Sequence, residues 1–360
     1  MSGTGTGTGP LPPVRVGIVG YGLAGRVFHG RLLAGTPAAR VTAVVTRSPR
    51  RRAEAVADHP GVVVCDDLAV ALDHVDLVVV ATPDWTHAEL AGLAIAAGRA
   101  VVVDKPLATS AAAARVLLEH AAARGVVLTV FQNRRWDSDQ LTLRRLMAAG
   151  ELGSVHRYES RFERWRPVLT PGKWRETLAV AEGGGALFDL GSHLVDQAAQ
   201  LFGPVARVYA EIDARRGGSE DDVFLALTHA GGVRSALWTG AVTAAPGPRL
   251  RVLGSAGAYV VDDLDSQEAA LRAGQVPGSD GPWGVEPPDH AAELRRGAQR
   301  WAVPSERGRW DLFYPAVVAA MAGAGGVPVD PADAVAVLDV LEAARRSAAN
   351  GTVERMPAVT

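Results

Sequence analysis

Two stretches hold side chains able to move a proton. The first is Val101-Val102-Val103-Asp104-Lys105-Pro106, an apolar run ending on an acid, a base and a proline. The second is Gly183-Gly184-Gly185-Ala186-Leu187-Phe188-Asp189-Leu190-Gly191-Ser192-His193-Leu194-Val195-Asp196. Of 37 basic residues only Lys105 and Lys173 are lysine. Arginine keeps its proton in a protein, whereas a desolvated lysine can release one. Lys105 is therefore read either as a surface lysine closing a strand or as a group kept for proton chemistry or for its compact ammonium. Asp189 and His193 are four apart, with Asp196 three further on, so a helix shows all three on one side. A carboxylate one turn from an imidazole can fix its tautomer or raise its pKa, which suits a general base near neutral pH. A helix-start aspartate beside an incidental histidine fits the same spacing. One histidine and two aspartates make a poor zinc site, and no metal is expected.

A third stretch would bring the reactant. Residues 14–20 read as a short buried strand running into Gly20-Tyr21-Gly22-Leu23-Ala24-Gly25. This is a dinucleotide fingerprint in its required place, strand before and helix after. The first glycine turns, the second admits a pyrophosphate, and the third packs helix on strand. After the second strand (residues 41–45) comes Thr46-Arg47-Ser48-Pro49-Arg50-Arg51-Arg52, with no carboxylate before Glu54. An NAD site would place an acid there for the ribose hydroxyls; a hydroxyl and guanidinium groups suit a 2′-phosphate. NADP is preferred, with NAD possible, and at least one of Arg50, Arg51 and Arg52 is only a solvated helix start. The strand at residues 75–81 ends on Thr82-Pro83-Asp84, and His87 follows either over the cofactor or at the helix start.

These residues need an alternating β/α frame. Strands at 62–65 and 101–104, a helix at 110–124 and a strand at 126–131 complete a parallel dinucleotide-binding fold over residues 14–132. Gln132-Asn133-Arg134-Arg135-Trp136-Asp137 leads out of it. Over residues 133–350 the pattern changes: a helix at 141–149, then period-two strands at 156–166, 206–213, 223–229, 232–240 and 249–253. They imply an α+β domain with a large open, mostly antiparallel sheet, through which a homodimer or homotetramer would form. The Asp189 helix spans residues 187–201. A terminal helix occupies 330–349, with Asp330 as cap and Pro331 first.

Composition narrows the class. With a net charge of −2 and no basic block, a nucleic-acid surface is not expected. The single Cys65 fits a reducing compartment. No apolar run reaches the roughly 18 residues of a membrane span. Residues 1–13 read as a floppy Gly/Thr/Pro leader, and the protein is expected in the cytoplasm.

Taken together, the glycine fingerprint, Asp104-Lys105-Pro106 and the Asp189/His193 motif resemble the Gfo/Idh/MocA oxidoreductases from Val14 onward. In that family the lysine of Glu-Lys-Pro and the Asp and His of the helix motif are catalytic, which implies Lys105, Asp189 and His193 here. Asp104 stands where the family usually has Glu and keeps its charge. Asn133 to Asp137, Arg161-Phe162-Glu163-Arg164-Trp165-Arg166-Pro167, Trp174-Arg175-Glu176 and the segments beginning at Gly247 and Ser266 are similar to its NADP-dependent scyllo-inositol 2-dehydrogenases. The resemblance implies a dehydrogenase acting on a CH–OH group, with His193 as base, Asp189 orienting it and Lys105 polarising the reacting oxygen. Asn133, Arg134, Arg164, Trp165 and Asp196 would hold a polyol or sugar. Gln132, Trp174 and Arg175 would join Gly20, Gly22, Leu23, Ala24, Gly25, Thr46, Arg47, Ser48, Thr82, Pro83, His87, Asp104 and Lys105 around the cofactor. An NADPH reductase of another carbonyl, or a sugar sensor that binds NADP without turnover, shares these features.

Overall fold

The structure is a computed structural model describing residues 12–170, 172, 176–179, 182–279, 281–290 and 292–357. Six strands, β1 (Val14–Val19), β2 (Ala39–Val45), β3 (Val63–Cys65), β4 (Leu77–Val80), β5 (Ala100–Val103) and β6 (Leu128–Val130), form a parallel sheet ordered β3-β2-β1-β4-β5-β6. Every residue of β4 and β5 is buried, as strands covered on both faces must be. The order reverses between β1 and β4, where such a sheet opens a crevice at its carboxyl ends. The expected helix after the glycines is a π-helical stretch, Leu23–His29, running into α1 (Gly30–Ala34). Next come α2 (Pro49–Asp58), α3 (Leu68–Ala71), α4 (His87–Ala96) and α5 (Ala111–Arg124). Ser110 caps α5 by accepting from Ala113 N, and Gly125 ends it at φ 62°, a conformation that favours glycine.

The remaining strands are β7 (Val155–Glu163), β8 (Val205–Asp213), β9 (Asp222–His229), β10 (Arg234–Gly240), β11 (Leu250–Gly254), β12 (Ala258–Val261), β13 (Ala292–Arg296), β14 (Gln299–Val303) and β15 (Glu354–Arg355). They pair in the order β14-β13-β12-β11-β7-β10-β9-β8-β15. All neighbours run antiparallel except β7 and β10. Along β9 burial alternates strictly, with Val223, Leu225 and Leu227 facing the core. The sequence reading omits β12 to β15. β14 (Gln299-Arg300-Trp301-Ala302-Val303) is almost wholly exposed and its apolar residues fall in one run, so no apolar/polar alternation betrays it, and pairing with β13 makes it a strand.

The helices of this half are α6 (Ser138–Ala148), α7 (Ser192–Phe202), α8 (Gln267–Ala273), α9 (Phe313–Met321) and α10 (Pro331–Asn350); α7 packs on β7 and β10, α10 on β8, and α8 on the Leu23–His29 turn. The helix expected over 187–201 is instead a π-helical turn, Leu187–Gly191, leading into α7. α10 starts as expected: Asp330 accepts from Ala332 N and Pro331 takes the first position. The late chain ties the layers together. Thr129 donates to Val329 O at 2.7 Å, and Glu342 accepts from Ala111 N at 2.8 Å. Among the described residues, no helix is long and apolar enough to cross a membrane.

Candidate active site

The crevice between β1 and β4 is a cleft of about 640 Å³ walled by Gly20, Gly22, Leu23, Ala24, Thr46, Arg47, Arg51, Thr82, Pro83 and Asp104. Its glycines divide the work of a dinucleotide cradle. A Cβ on Gly20, whose φ is +90°, would lie 2.6 Å from Ala81 O, and one on Gly25 would lie 1.9 Å from Gly20 O. Only glycine fits at either point. At Gly22 the nearest atom is the Arg51 guanidinium at 3.6 Å, so the space a side chain would fill stays open to a phosphate. The residues present fit a dinucleotide.

Beyond β2 the charges sort themselves. Arg50 pairs with Glu54 and Arg52 with Asp66, whereas Arg47 and Arg51 line the cleft with no side-chain partner among the described residues. Asp67, a carboxylate on the same wall, is engaged as the cap of α3, accepting from Ala69 N at 2.8 Å. Ser48 lies off this wall and caps α2, accepting from Arg51 N. Arg51 was missing from the sequence-derived site. The Ser-Pro helix start was the available signal, since it sets Arg51 three residues into α2, where side chains lean back towards the N-terminus.

His87 corrects its expectation. It is fully buried, with Nδ1 2.8 Å from Pro106 O and Nε2 2.9 Å from Thr82 O. The ring staples the Lys105-Pro106 turn to the end of β4 and offers no free nitrogen to a cofactor. Gln132 is buried and keeps Oε1 without a partner among the described residues. Trp174 and Arg175 lie outside the described residues.

The strand-end lysine and the π-turn aspartate meet. Lys105 Nζ donates to Asp189 Oδ1 at 2.9 Å and to Asp189 O. Asp189 thus orients Lys105; no hydrogen bond links its carboxylate to the His193 imidazole, so the expected orienting pair is not formed. His193 is 6 % exposed, and its ring meets Phe162 edge-on at 6.4 Å. Its Nδ1 is buried without a partner among the described residues, leaving Nε2 as the nitrogen open to the site. Asp189 does act to raise the imidazole pKa, as expected, but it does not set the net direction. Burial, then Lys105 and Arg134, push it well below the usual histidine range, outweighing Asp189.

A second cavity, about 380 Å³, adjoins the first at Leu23 and is walled by Asp189, Leu190, Arg164, Arg166, Gly240 and Ala241, among others. Of the proposed substrate-holding residues, Arg164 lines it. Arg134 lies close by, paired with Glu268 at 2.7 Å and Asp137 at 3.3 Å and stacked over Phe162. Asn133 is buried in a short 3₁₀ turn beside it. Trp165 is 59 % exposed and off the cavity wall, because alternation along the strand end turns it away from Arg164 and Arg166. Asp196 is removed from the substrate set: it is buried and clamped by Arg135 through Nε (2.8 Å) and Nη2. His29, absent from the sequence-derived site, closes the cluster from below. Fully buried, it meets the Tyr314 hydroxyl through Nδ1 at 2.6 Å and turns Nε2 towards Asp104 Oδ1 at 4.0 Å.

Residues 14–132 match the family model described as an oxidoreductase family with an NAD-binding Rossmann fold, and 140–260 match the GFO/IDH/MocA C-terminal domain. Scyllo-inositol 2-dehydrogenase (NADP(+)) IolW of Bacillus subtilis is 34% identical over 93% of each chain. The uncharacterized oxidoreductase YdgJ of Escherichia coli is 38% identical over 93% of this chain and 96% of its own. The solved structure of yvaA from Bacillus subtilis superposes with a TM-score of 0.89 at 32% identity, over 96% of this chain and 99% of that one.

Proposed function

Because the chain belongs to the Gfo/Idh/MocA oxidoreductases, we propose that it interconverts a secondary alcohol of a cyclic polyol or sugar and its ketone, with NADP as hydride carrier. The observation that carries this reading is the Lys105–Asp189 pair, 2.9 Å apart, with the buried His193 near by. Bound nicotinamide supplies the hydride acceptor. The chain's own residues handle the proton. His193 is neutral at neutral pH because burial and its cationic neighbours disfavour the imidazolium. Its Nε2 takes the hydroxyl proton, and Lys105 Nζ donates to the oxygen on which negative charge gathers. Asp189 fixes that ammonium through the 2.9 Å contact.

Two guanidinium groups, Arg47 and Arg51, with no side-chain partner among the described residues, support a 2′-phosphate, because a cation on a cleft wall is best satisfied by bidentate phosphate contact. Residues 14–132 would carry the cofactor, and 133–350 the substrate wall and the self-association surface. That surface is the outer sheet face, where Phe224 and Trp238 stack at 5.2 Å and Arg161 lies 3.8 Å over Trp238. The test is absorbance at 340 nm with scyllo-inositol, myo-inositol and several aldoses, each with NADP⁺ and NAD⁺. Turnover of a polyol or aldose with NADP⁺ is expected. Turnover only with NAD⁺ overturns the cofactor reading, and silence throughout overturns the substrate class.

A further inference from the structure

The cations around the second cavity are almost all spoken for. Lys105 is held by Asp189, Arg134 by Asp137 and Glu268, and Arg272 by Glu268. Arg216 is held by Asp221 and Glu176, and Arg345 by Glu220. Two are left over. Arg164 and Arg166 both line the cavity, and among the described residues neither side chain has an ion pair or hydrogen bond.

Their placement is built rather than incidental. Arg164 N donates to Gly240 O at 2.8 Å, Arg166 N to Ala241 O at 2.7 Å, and Arg164 O accepts from Thr243 N at 3.0 Å. This ladder fixes the backbone just past β7, and residues two apart on an extended chain point the same way. Gly240 and Ala241 are small, so the wall beneath the guanidinium groups leaves room. Asp189 lines the same cavity, which puts the two arginines within one small molecule's reach of the reacting centre. A half-buried cation with no direct ion pair is costly: burial, then Arg166, disfavour the charged form of Arg164, and the more distant Asp189 and Glu268 only partly offset them. A neutral polyol leaves the remainder of that cost standing; a bound anion in direct contact with the guanidinium removes it.

We infer that the substrate is an acidic polyol or sugar whose carboxylate or phosphate docks on Arg164 and Arg166 while a ring hydroxyl reaches Lys105 and His193. The inference rests on the dehydrogenase reading above and narrows it. Planar guanidinium groups match either oxyanion bidentately, so both sources share the recognition chemistry.

The experiment compares D-glucose with D-glucuronate, D-galactose with D-galacturonate, and D-glucose with D-glucose 6-phosphate. Turnover with NADP⁺, calorimetric binding to the NADPH-loaded enzyme and NADPH affinity are measured for the wild type and for Arg164→Gln. The wild type should favour one anionic class by at least tenfold in turnover or binding, the uronates identifying a carboxylate and the hexose phosphate a phosphate. Arg164→Gln should cost that class at least tenfold more than its neutral partner, with a smaller change in NADPH affinity. Equal or better use of the neutral sugars overturns the inference. So does an equal loss of NADPH affinity, which would mean that Arg164 meets the cofactor's own phosphates. Anion binding without any turnover supports the anion site and refutes the dehydrogenase reading, so the two failures are told apart.

Discussion

At the scale of single residues, burial decides more than neighbouring charge. His193 has a carboxylate close by and still stays neutral, because desolvation and the Lys105 and Arg134 charges act together against the imidazolium. His29 shows the same preference. Burial pushes it down to about 4, Asp104 pulling it up and His87 pushing it further down, with Tyr314 on its other nitrogen. The unfolded chain takes up this proton near pH 6.5 and the folded chain only near pH 4, so acid favours unfolding across that window. The contribution is absent above the unfolded value and reaches about 3 kcal/mol at the bottom of the window. Asp137, Asp196 and Asp265 are raised by burial and act in the opposite direction, so the whole stability curve is a sum. Comparing wild type with His29→Gln by urea denaturation isolates the one group. The gap between them should narrow by about 2 kcal/mol from about pH 7 to about pH 4.5, and a constant gap would contradict the burial account.

At the scale of elements, both helices that meet the site begin irregularly. Leu23–His29 and Leu187–Gly191 are π-helical, and such turns recur where a helix must aim a side chain. The glycine roles before the first of them are separable. Gly22→Ala meets nothing closer than the Arg51 guanidinium at 3.6 Å, so the protein should fold with an unchanged melting temperature while NADPH affinity falls at least tenfold. Gly25→Ala, whose Cβ would lie 1.9 Å from Gly20 O, should lose the fold around the cleft as well. Calorimetry of both variants checks this; a Gly22→Ala protein that binds NADPH normally would contradict it. The alternating first half was legible in the sequence because glycines, caps and all-apolar strands are local signals. Lys105 with Asp189 could be singled out as residues, but their hydrogen bond joins positions 84 apart and no local pattern encodes it. The same holds for Asp196: spacing put it on the functional face, and only the fold shows Arg135 consuming it. His29 and Tyr314 were missed for that reason too, being 285 residues apart.

At the scale of the whole molecule, the late chain binds the two sheets into one unit. α10 packs on α5 and on β8, and Tyr314 reaches under the site from just inside α9. What remains open is the outer face of the nine-stranded sheet, with Phe224, Trp238 and Arg161 together on it. If this face joins copies of the chain, Trp238→Glu should shift the protein to a monomer in light scattering while NADPH binding persists. A wild type that is already monomeric, or a variant that stays associated, would contradict that surface.

His193 is the proposed proton acceptor, and the most direct measurement is turnover and NADPH affinity of His193→Ala side by side. The prediction is a fall in kcat of about 10²- to 10⁴-fold with NADPH affinity nearly unchanged. Turnover that survives the substitution, or cofactor affinity that falls as steeply as turnover, would contradict it.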